Sequence, residues 1–462
     1  MVSFSNGQFH KMLRAGLGFA LALIGWLATA TAQTVSLDAS ELRVLAQERL
    51  EAGDPLRALE FTRALLARDP QDLAALIVQS QILRAIGETK AAKADARAVW
   101  SKTRDRHLRY GAAMAMAQAL SSEGRRTAAQ FWLRRAAEVA PTDDARTIAR
   151  RDFGYVKSRN PWVFRFDFQV SPSSNINNGS ARTSFDFQGF PVILSGDARA
   201  LSGVEATVGA TASYRFAPTA TTRTEINLRT LQRKARLSDT AKRQAPLASA
   251  SDYSFALIEA AIERKYRPPG SRFTYDLGAT LGHNWYGGAA LSDYLRLEAG
   301  AEHKLSARAV AHLGVTVARQ WRRDNSDRSA DDFGLGFGLV YGLSNKDRLR
   351  FNFGVGWTEA NSVEIRNQAG FMRLNWEKAE PVAGIGIAAG ISAEIKDFDD
   401  SRFSVGGRFD KRLGLDLSLG FDQIDYMGFS PQLDLRASRN WSNVGLFDAQ
   451  DLGISLGVKS SF

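Results

Sequence analysis

From Trp162 onward the chain alternates. Trp162, Phe164, Phe166, Phe168 and Val170 are interleaved with Val163, Arg165, Asp167 and Gln169. A period of two is the period of a strand, whose successive side chains leave on opposite faces. One face here is aromatic and the other carries charge, a contrast unusual in a soluble sandwich. The alternation returns in Val204 to Phe216, Phe273 to Leu281, Phe333 to Leu343, Leu349 to Trp357, Ala383 to Ile395, Leu413 to Phe421 and Leu433 to Ala437. Near the end, Leu452, Ile454, Leu456 and Val458 alternate with Gly453, Ser455, Gly457 and Lys459, and Phe462 follows. Strands with one oily and one wet face, closing on a terminal aromatic, predict an antiparallel barrel in a membrane, oily side out. With the weaker stretches 221–231 and 362–376 included, about 14 strands are expected, an even number as in bacterial barrels.

Aromatics gather near strand ends: Trp285, Tyr286, Trp321, Trp357, Trp376 and Trp441. Such girdles mark the two bilayer interfaces. Long polar connections are expected at 171–202, 232–250 and 322–331, and short ones at 217–221, 268–271 and 344–347. Alternation of long and short loops fits a barrel with one end outside and the other in the periplasm.

Hydrophobic residues make up 44% of the chain, an ordinary share that suits a barrel, because half of each strand faces water. The one long apolar run, Leu17 to Ala28, follows Lys11 and Arg14 and leads into Ala28-Thr29-Ala30-Thr31-Ala32. This is the pattern of a secretory signal peptide over 1–32, cleaved after Ala32. Without cysteine there is no lipobox anchor, disulfide or thiolate metal ligand. The net charge of +11 is spread through both halves, so solvated faces and anionic lipid explain it better than nucleic acid.

Residues 38–157 are rich in Ala, Leu, Arg and Glu, a helical composition. Gly53, Gly87 and Gly124 recur at spacings of 34 and 37, each followed five residues later by Ala58, Ala92 or Ala129. Asp69-Pro70 and Ala140-Pro141 close the first and third units, while Arg104 stands where the second would carry proline. A helical hairpin of this period, with glycine in the turn and alanine at the helix contact, resembles the tetratricopeptide repeat. A last helix, Asp143 to Lys157, would cap the stack. Asn160-Pro161-Trp162 marks the join, since proline disfavours helix for the residue before it. The expected organisation is an α + β multidomain chain: signal peptide 1–32, tetratricopeptide-like α-helical repeats 38–157, and a transmembrane antiparallel β-barrel 161–462.

On the wet face, Gly334, Gly336 and Gly338 share one strand, as do Gly278 with Gly282, Gly354 with Gly356, and Gly384, Gly386 with Gly390. Recurring inside strands, they are no phosphate loop. They relieve curvature or leave space in the lumen. Charges expected to point inward are Arg165, Asp167, Arg223, Glu225, Arg229, Asp416, Asp422, Asp434 and Arg436. Their mixed signs suggest cross-strand ion pairs rather than the single-sign ring of an ion-selective pore.

Little points to catalysis. None of the five histidines has metal-site spacing. The cluster worth checking is His283 and Asn284 with Ser292 and Asp293. The Asp397-Phe398-Asp399-Asp400 run reads as a solvated loop rather than a calcium site. No enzyme activity, cofactor or metal is expected.

Ser171-Pro172-Ser173-Ser174-Asn175-Ile176-Asn177-Asn178 follows the first strand. Gly428-Phe429-Ser430-Pro431 leads into Leu433, and Ser442-Asn443 comes after. With helical repeats ahead of a barrel, these segments resemble the surface lipoprotein assembly modulators (Slam), the type XI secretion translocators. Asn175, Asn177, Pro431 and Asn443 are the positions that carry the likeness. Gly457 and Phe462 resemble a barrel-assembly signal, with Ser460 departing from its usual apolar residue. The resemblance implies an outer-membrane protein that moves a periplasmic cargo, a surface lipoprotein or a haem- or metal-scavenging protein, to the cell surface. It implies periplasmic repeats that receive cargo or chaperones, and contact with the barrel-assembly machinery and outer-membrane lipid. Other readings of the same scaffold are an exopolysaccharide export porin and a host-interaction factor.

Overall fold

The computed structural model describes residues 37–460 apart from 425, 427 and 428. The expected signal segment, Gly428 and Phe462 lie outside the described residues.

Among the described residues seven helices come first: α1 (Ala39–Glu51), α2 (Pro55–Arg68), α3 (Leu73–Ala85), α4 (Thr89–Lys102), α5 (Arg106–Ser122), α6 (Arg126–Val139) and α7 (Asp143–Arg159). Their starts are encoded locally. Asp38 accepts from the Glu41 backbone N–H at 2.8 Å while the Glu41 carboxylate accepts from that of Asp38 at 2.8 Å. Asp54, Asp72, Asp105 and Thr142 cap α2, α3, α5 and α7, each satisfying backbone donors that a helix start leaves unpaired. Gly53, Gly87 and Gly124 have φ of 81°, 89° and 75°. This left-handed region costs a glycine nothing, so each hairpin reverses tightly there. Ala58, Ala92 and Ala129 are fully buried, small enough for helices to approach closely.

The chain divides into two compact units after Thr103, inside the stretch read from sequence as one repeat domain. The first unit holds α1–α4. The second holds α5–α7 with the barrel. Asn160 pins the join in the second unit: its Nδ2 donates to Thr127 Oγ1 at 3.0 Å, and its Oδ1 accepts from the Trp162 backbone N–H at 3.2 Å. On α6, the Arg134 guanidinium lies 5.1 Å from the Phe429 ring.

The barrel begins with β1 (Trp162–Ser173). A small hairpin, β2 (Ser184–Phe187) and β3 (Phe190–Ile193), sits in the following loop and pairs only with itself. Then come β4 (Gly203–Arg215), β5 (Thr222–Leu237), β6 (Phe255–Tyr266), β7 (Phe273–Tyr286), β8 (Ala289–Lys304) and β9 (Ala309–Arg322). They continue as β10 (Ala330–Gly342), β11 (Arg348–Ala360), β12 (Asn367–Glu377), β13 (Ile385–Phe398), β14 (Arg408–Phe421), β15 (Phe429–Ser442) and β16 (Ala449–Ser460). β1 and β4–β16 form one closed antiparallel sheet of 14 strands, sealed where β1 meets β16. A short helix, α8 (Asp239–Gln244), lies in the loop after β5.

Two local expectations are corrected. The loop expected from residue 232 begins after Leu237, because Lys234 and Arg236 continue the alternation with Arg233, Ala235 and Leu237. Gly384 belongs to a turn rather than a strand: Ala383 and Gly384 have φ of 50° and 77°, and β13 starts at Ile385. The weakest stretches of the sequence are the full strands β5 and β12, held by neighbours on both sides.

Candidate functional site

Residues directly paired across an antiparallel ladder share a face. Phe168 pairs with Val208 and Val458, and Phe337 with Leu313 and Phe353. Phe164, Phe166, Leu277, Leu313, Leu335 and Leu456 are exposed on the outside. No described helix is long and apolar enough to cross a membrane. The strands are, and a closed barrel leaves no backbone edge unsatisfied in hydrocarbon.

The opposite face is the lumen. Register places Arg165, Asp167, Arg229, Gly334, Gly336, Gly338, Asp416, Asp434 and Arg436 there. Arg229 pairs with Glu259 at 3.1 Å, and Asp416 with Arg373 at 2.6 Å rather than with Arg436 directly opposite it. Arg436 instead reaches Ser171 Oγ at 3.4 Å and Ser455 Oγ at 3.5 Å. Asp434 accepts from Ser418 Oγ at 2.5 Å and Gln432 Nε2 at 2.7 Å.

The lumen glycines fall into two classes. A Cβ on Gly282 would lie 2.1 Å from Tyr294 Cζ, and one on Gly354 would lie 2.4 Å from Phe371 Cε1. These glycines are seats for a ring from the next strand. Gly336 has nothing within 4 Å, and Gly334 and Gly338 have only ordinary contacts, at 3.8 Å and 3.4 Å. The β10 wall is therefore smooth and open.

At the loop end, a cavity of about 870 Å³ lies between the β1–β5 wall and the β12–β15 wall, lined by Glu205, Arg233, Phe371, Arg412, Arg436 and Asn178 among others. The 174–202 loop turns inward over it. Asn177 Nδ2 donates to the Asp197 and Arg199 carbonyls at 2.7 and 2.8 Å, and its Oδ1 accepts from the Leu201 N–H at 2.9 Å. Asn175 Nδ2 donates to the Gly179 and Gln450 carbonyls at 2.9 and 3.0 Å, tying the loop to β16. Ile176, Leu201, Leu237, Ala241 and Ala245 form a small core beside it. Asn443 accepts from the Phe409 N–H at 2.8 Å and donates to the Gly407 carbonyl at 3.2 Å, joining two loops at the same end. Pro431 pairs with Val458, but the β14 register begins one residue later, at Gln432, so its missing N–H costs no ladder bond there. Gly457 lies opposite Gln169 and Gln432 at the seal.

The helix end carries charges of both signs, with Arg215 paired to Glu225 at 3.7 Å. Burial, and then the nearby cations Arg134, Arg215 and Arg165, pull the Lys157 ammonium below its ordinary value. Mixed signs along the sequence hid this cluster, which helix α7 completes only in space.

The His283 cluster divides across the wall. His283 Nδ1 and Asp293 Oδ1 are 2.6 Å apart on the outer face, whereas Ser292 Oγ donates to Asn284 Oδ1 at 3.0 Å on the inner one. Adjacent residues of a strand point to opposite sides, so serine and histidine cannot act as a pair.

Three groups escaped the sequence reading. Arg408 is buried between the Phe398 and Phe447 rings, at 3.5 and 3.8 Å, and pairs with Glu364 at 2.8 Å. Asp347, buried in the turn after β10, accepts from the Ala379 N–H at 3.0 Å, Trp376 Nε1 at 3.1 Å and Asn345 Nδ2 at 3.0 Å. Those donors, the Ala379 N–H foremost, hold its carboxyl below the usual range. On α4, burial pushes the Asp95 carboxyl up to about 6, and its Oδ2 has no hydrogen-bond partner. Its only signal in sequence is an acid set beside Ala92 and Ala96 on a face of alanines.

No protein-family model matches the chain, and no curated protein is similar to it in sequence. Solved structures similar to it include the outer membrane channel DcaP of Acinetobacter baumannii, with 10% identity, a TM-score of 0.38, and coverage of 65% of this chain and 97% of that one. OccAB2 of Acinetobacter baumannii has 9% identity and a TM-score of 0.34, covering 64% and 97%. A Pseudomonas aeruginosa FadL homologue has 8% identity and a TM-score of 0.35, covering 66% and 91%.

Proposed function

We propose that this protein is an outer-membrane conduit that delivers or displays a periplasmic cargo protein at the cell surface. The observation that carries the reading is the cation cluster of Arg134, Lys157, Arg165 and Arg215 where the helices lead into the lumen. Cations gathered within low-dielectric walls attract an acidic, extended segment. The open glycine wall of β10 leaves space for a backbone to pass. The helical hairpins, read as tetratricopeptide-like and periplasmic, supply a surface suited to extended peptides or chaperones. Gly457 and Phe462 are proposed to engage the barrel-assembly machinery, and the protein itself is non-catalytic.

The test is Arg165→Ser with Arg215→Ser in the producing cell. The surface proteome, read by protease shaving of intact cells, should lose a protein that accumulates in the periplasm. An unchanged surface proteome with normal barrel levels would sink the proposal. A second reading, exopolysaccharide export, is favoured by Tyr286, Phe371 and Asn352 in the lining of the cavity, since aromatic faces and amides suit sugar rings. In that case, loss of the barrel removes extracellular polysaccharide and leaves surface proteins unaltered.

A further inference from the structure

Two cations stand on the outside of the barrel with no counter-charge. Lys234 lies opposite Ala206 and Arg236 opposite Val204, so both share the outward face of β5 with Ile226 and Leu228. Both are exposed. Other outward cations at the loop end are engaged. Arg319 pairs with Asp331, Arg323 with Asp293 and Arg439 with Asp448, and Lys411 lies 5.2 Å from the Phe409 ring. Among the described residues, Lys234 and Arg236 have no ion-pair partner.

Their position on the wall is informative. The register row Gln232–Ala256–Trp285 runs through the aromatic Trp285, and both cations lie beyond it toward the loops. Unpaired charge is costly in hydrocarbon, so this level belongs to lipid headgroups. Two residues apart on one strand, their Cα atoms are about 7 Å from each other, close enough for both side chains to reach one phosphate. Lysine contributes a point charge and arginine a planar fork. Below them, the flanking outward positions alternate in size: Val208, Ala210 and Ala212 on β4, and Ala256, Ile258 and Ala260 on β6. Val208 and Ile258 are exposed, so the wall on either side of β5 is apolar and lies against acyl chains.

We propose that Lys234 and Arg236 bind the phosphate of a glycolipid in the leaflet at the loop end, its acyl chains lying against the apolar wall below them. That this leaflet is the outer one rests on the periplasmic placement of the helices in the function proposed above.

The full chain in detergent is titrated with phosphorylated lipid A and with dephosphorylated lipid A, and bound lipid is read by native mass spectrometry. Lys234→Ser with Arg236→Ser should bind phosphorylated lipid A about 25-fold more weakly, at about five-fold per cation near a membrane surface. Arg319→Ser with Asp331→Ser should bind as the parent does. Lys234→Glu serves as a second variant, and heat-modifiable gel mobility verifies the fold of each. Equal affinity in the double variant overturns the proposal. So does equal binding of dephosphorylated lipid A, or displacement by an equal concentration of inorganic phosphate. Orientation is read separately. Leu247 is fully exposed in the loop after β5, and Leu247→Cys should react with an impermeant maleimide on intact cells. Failure there overturns the leaflet assignment alone, while the titration decides the cation site.

Discussion

At the scale of single residues, burial and contact decide what a side chain does. Asp95 carries its proton up to about 6 in the folded chain, against 3.8 for the free side chain. The folded state therefore holds the extra proton between those values, and its stability falls as pH rises from about 4 to about 6. Asp95→Asn should flatten that slope and raise stability at pH 7 by about 1 kcal/mol, discounted for partial exposure. Thermal melts of the helical circular dichroism signal at pH 4 and pH 7 check both points. The lumen glycines give a second contrast. Gly354→Ala drives a Cβ against the Phe371 ring and, at 3.0 Å, the Leu335 carbonyl. It should cost about 1–3 kcal/mol, the range for overpacking, visible as a lower midpoint of heat-modifiable mobility. Gly336→Ala meets open space and should leave that midpoint where it is. The alternation shows that both glycines face inward. It cannot show that one is a seat for a ring and the other open wall, because Phe371 comes from a neighbouring strand.

At the scale of elements, the 174–202 loop is the part most able to change what passes. Asn177 holds four of its backbone groups, at Gly179, Asp197, Arg199 and Leu201. Asn177→Ala removes about 1 kcal/mol for each such bond and should release the loop from the cavity. Planar-bilayer recordings of the variant should show larger and more variable conductance than the parent, and identical traces would show that the loop does not restrict the mouth. The Asn-x-Asn spacing was legible in the chain. Its partners Asp197, Arg199 and Leu201 were not, since they lie 20 to 24 residues away in a loop with no repeating pattern. Strand β5 teaches the same lesson in reverse: its outward Gln232, Lys234 and Arg236 look like a loop in one dimension, yet pairing with β4 holds them as strand.

For the whole molecule, the division after Thr103 matters more than the change in composition near Pro161. Deleting 38–103 should leave a barrel with parental heat-modifiable mobility. Deleting 38–157 also removes the Thr127 contact to Asn160 and Arg134 from beside Phe429, and should lower its melting midpoint. Periodicity alone specified helical hairpins that turn at Gly53, Gly87 and Gly124 and a wall of about 14 strands with an oily outside, because side-chain period is a local property of the backbone. Everything that depends on residues distant in sequence came from closure of the sheet. Closure set which glycines were filled, where Lys157 met Arg165 and Arg215, why Ser292 and His283 were separated, and which outward cations lacked partners. Such features are sums over neighbouring strands, and no single strand contains them.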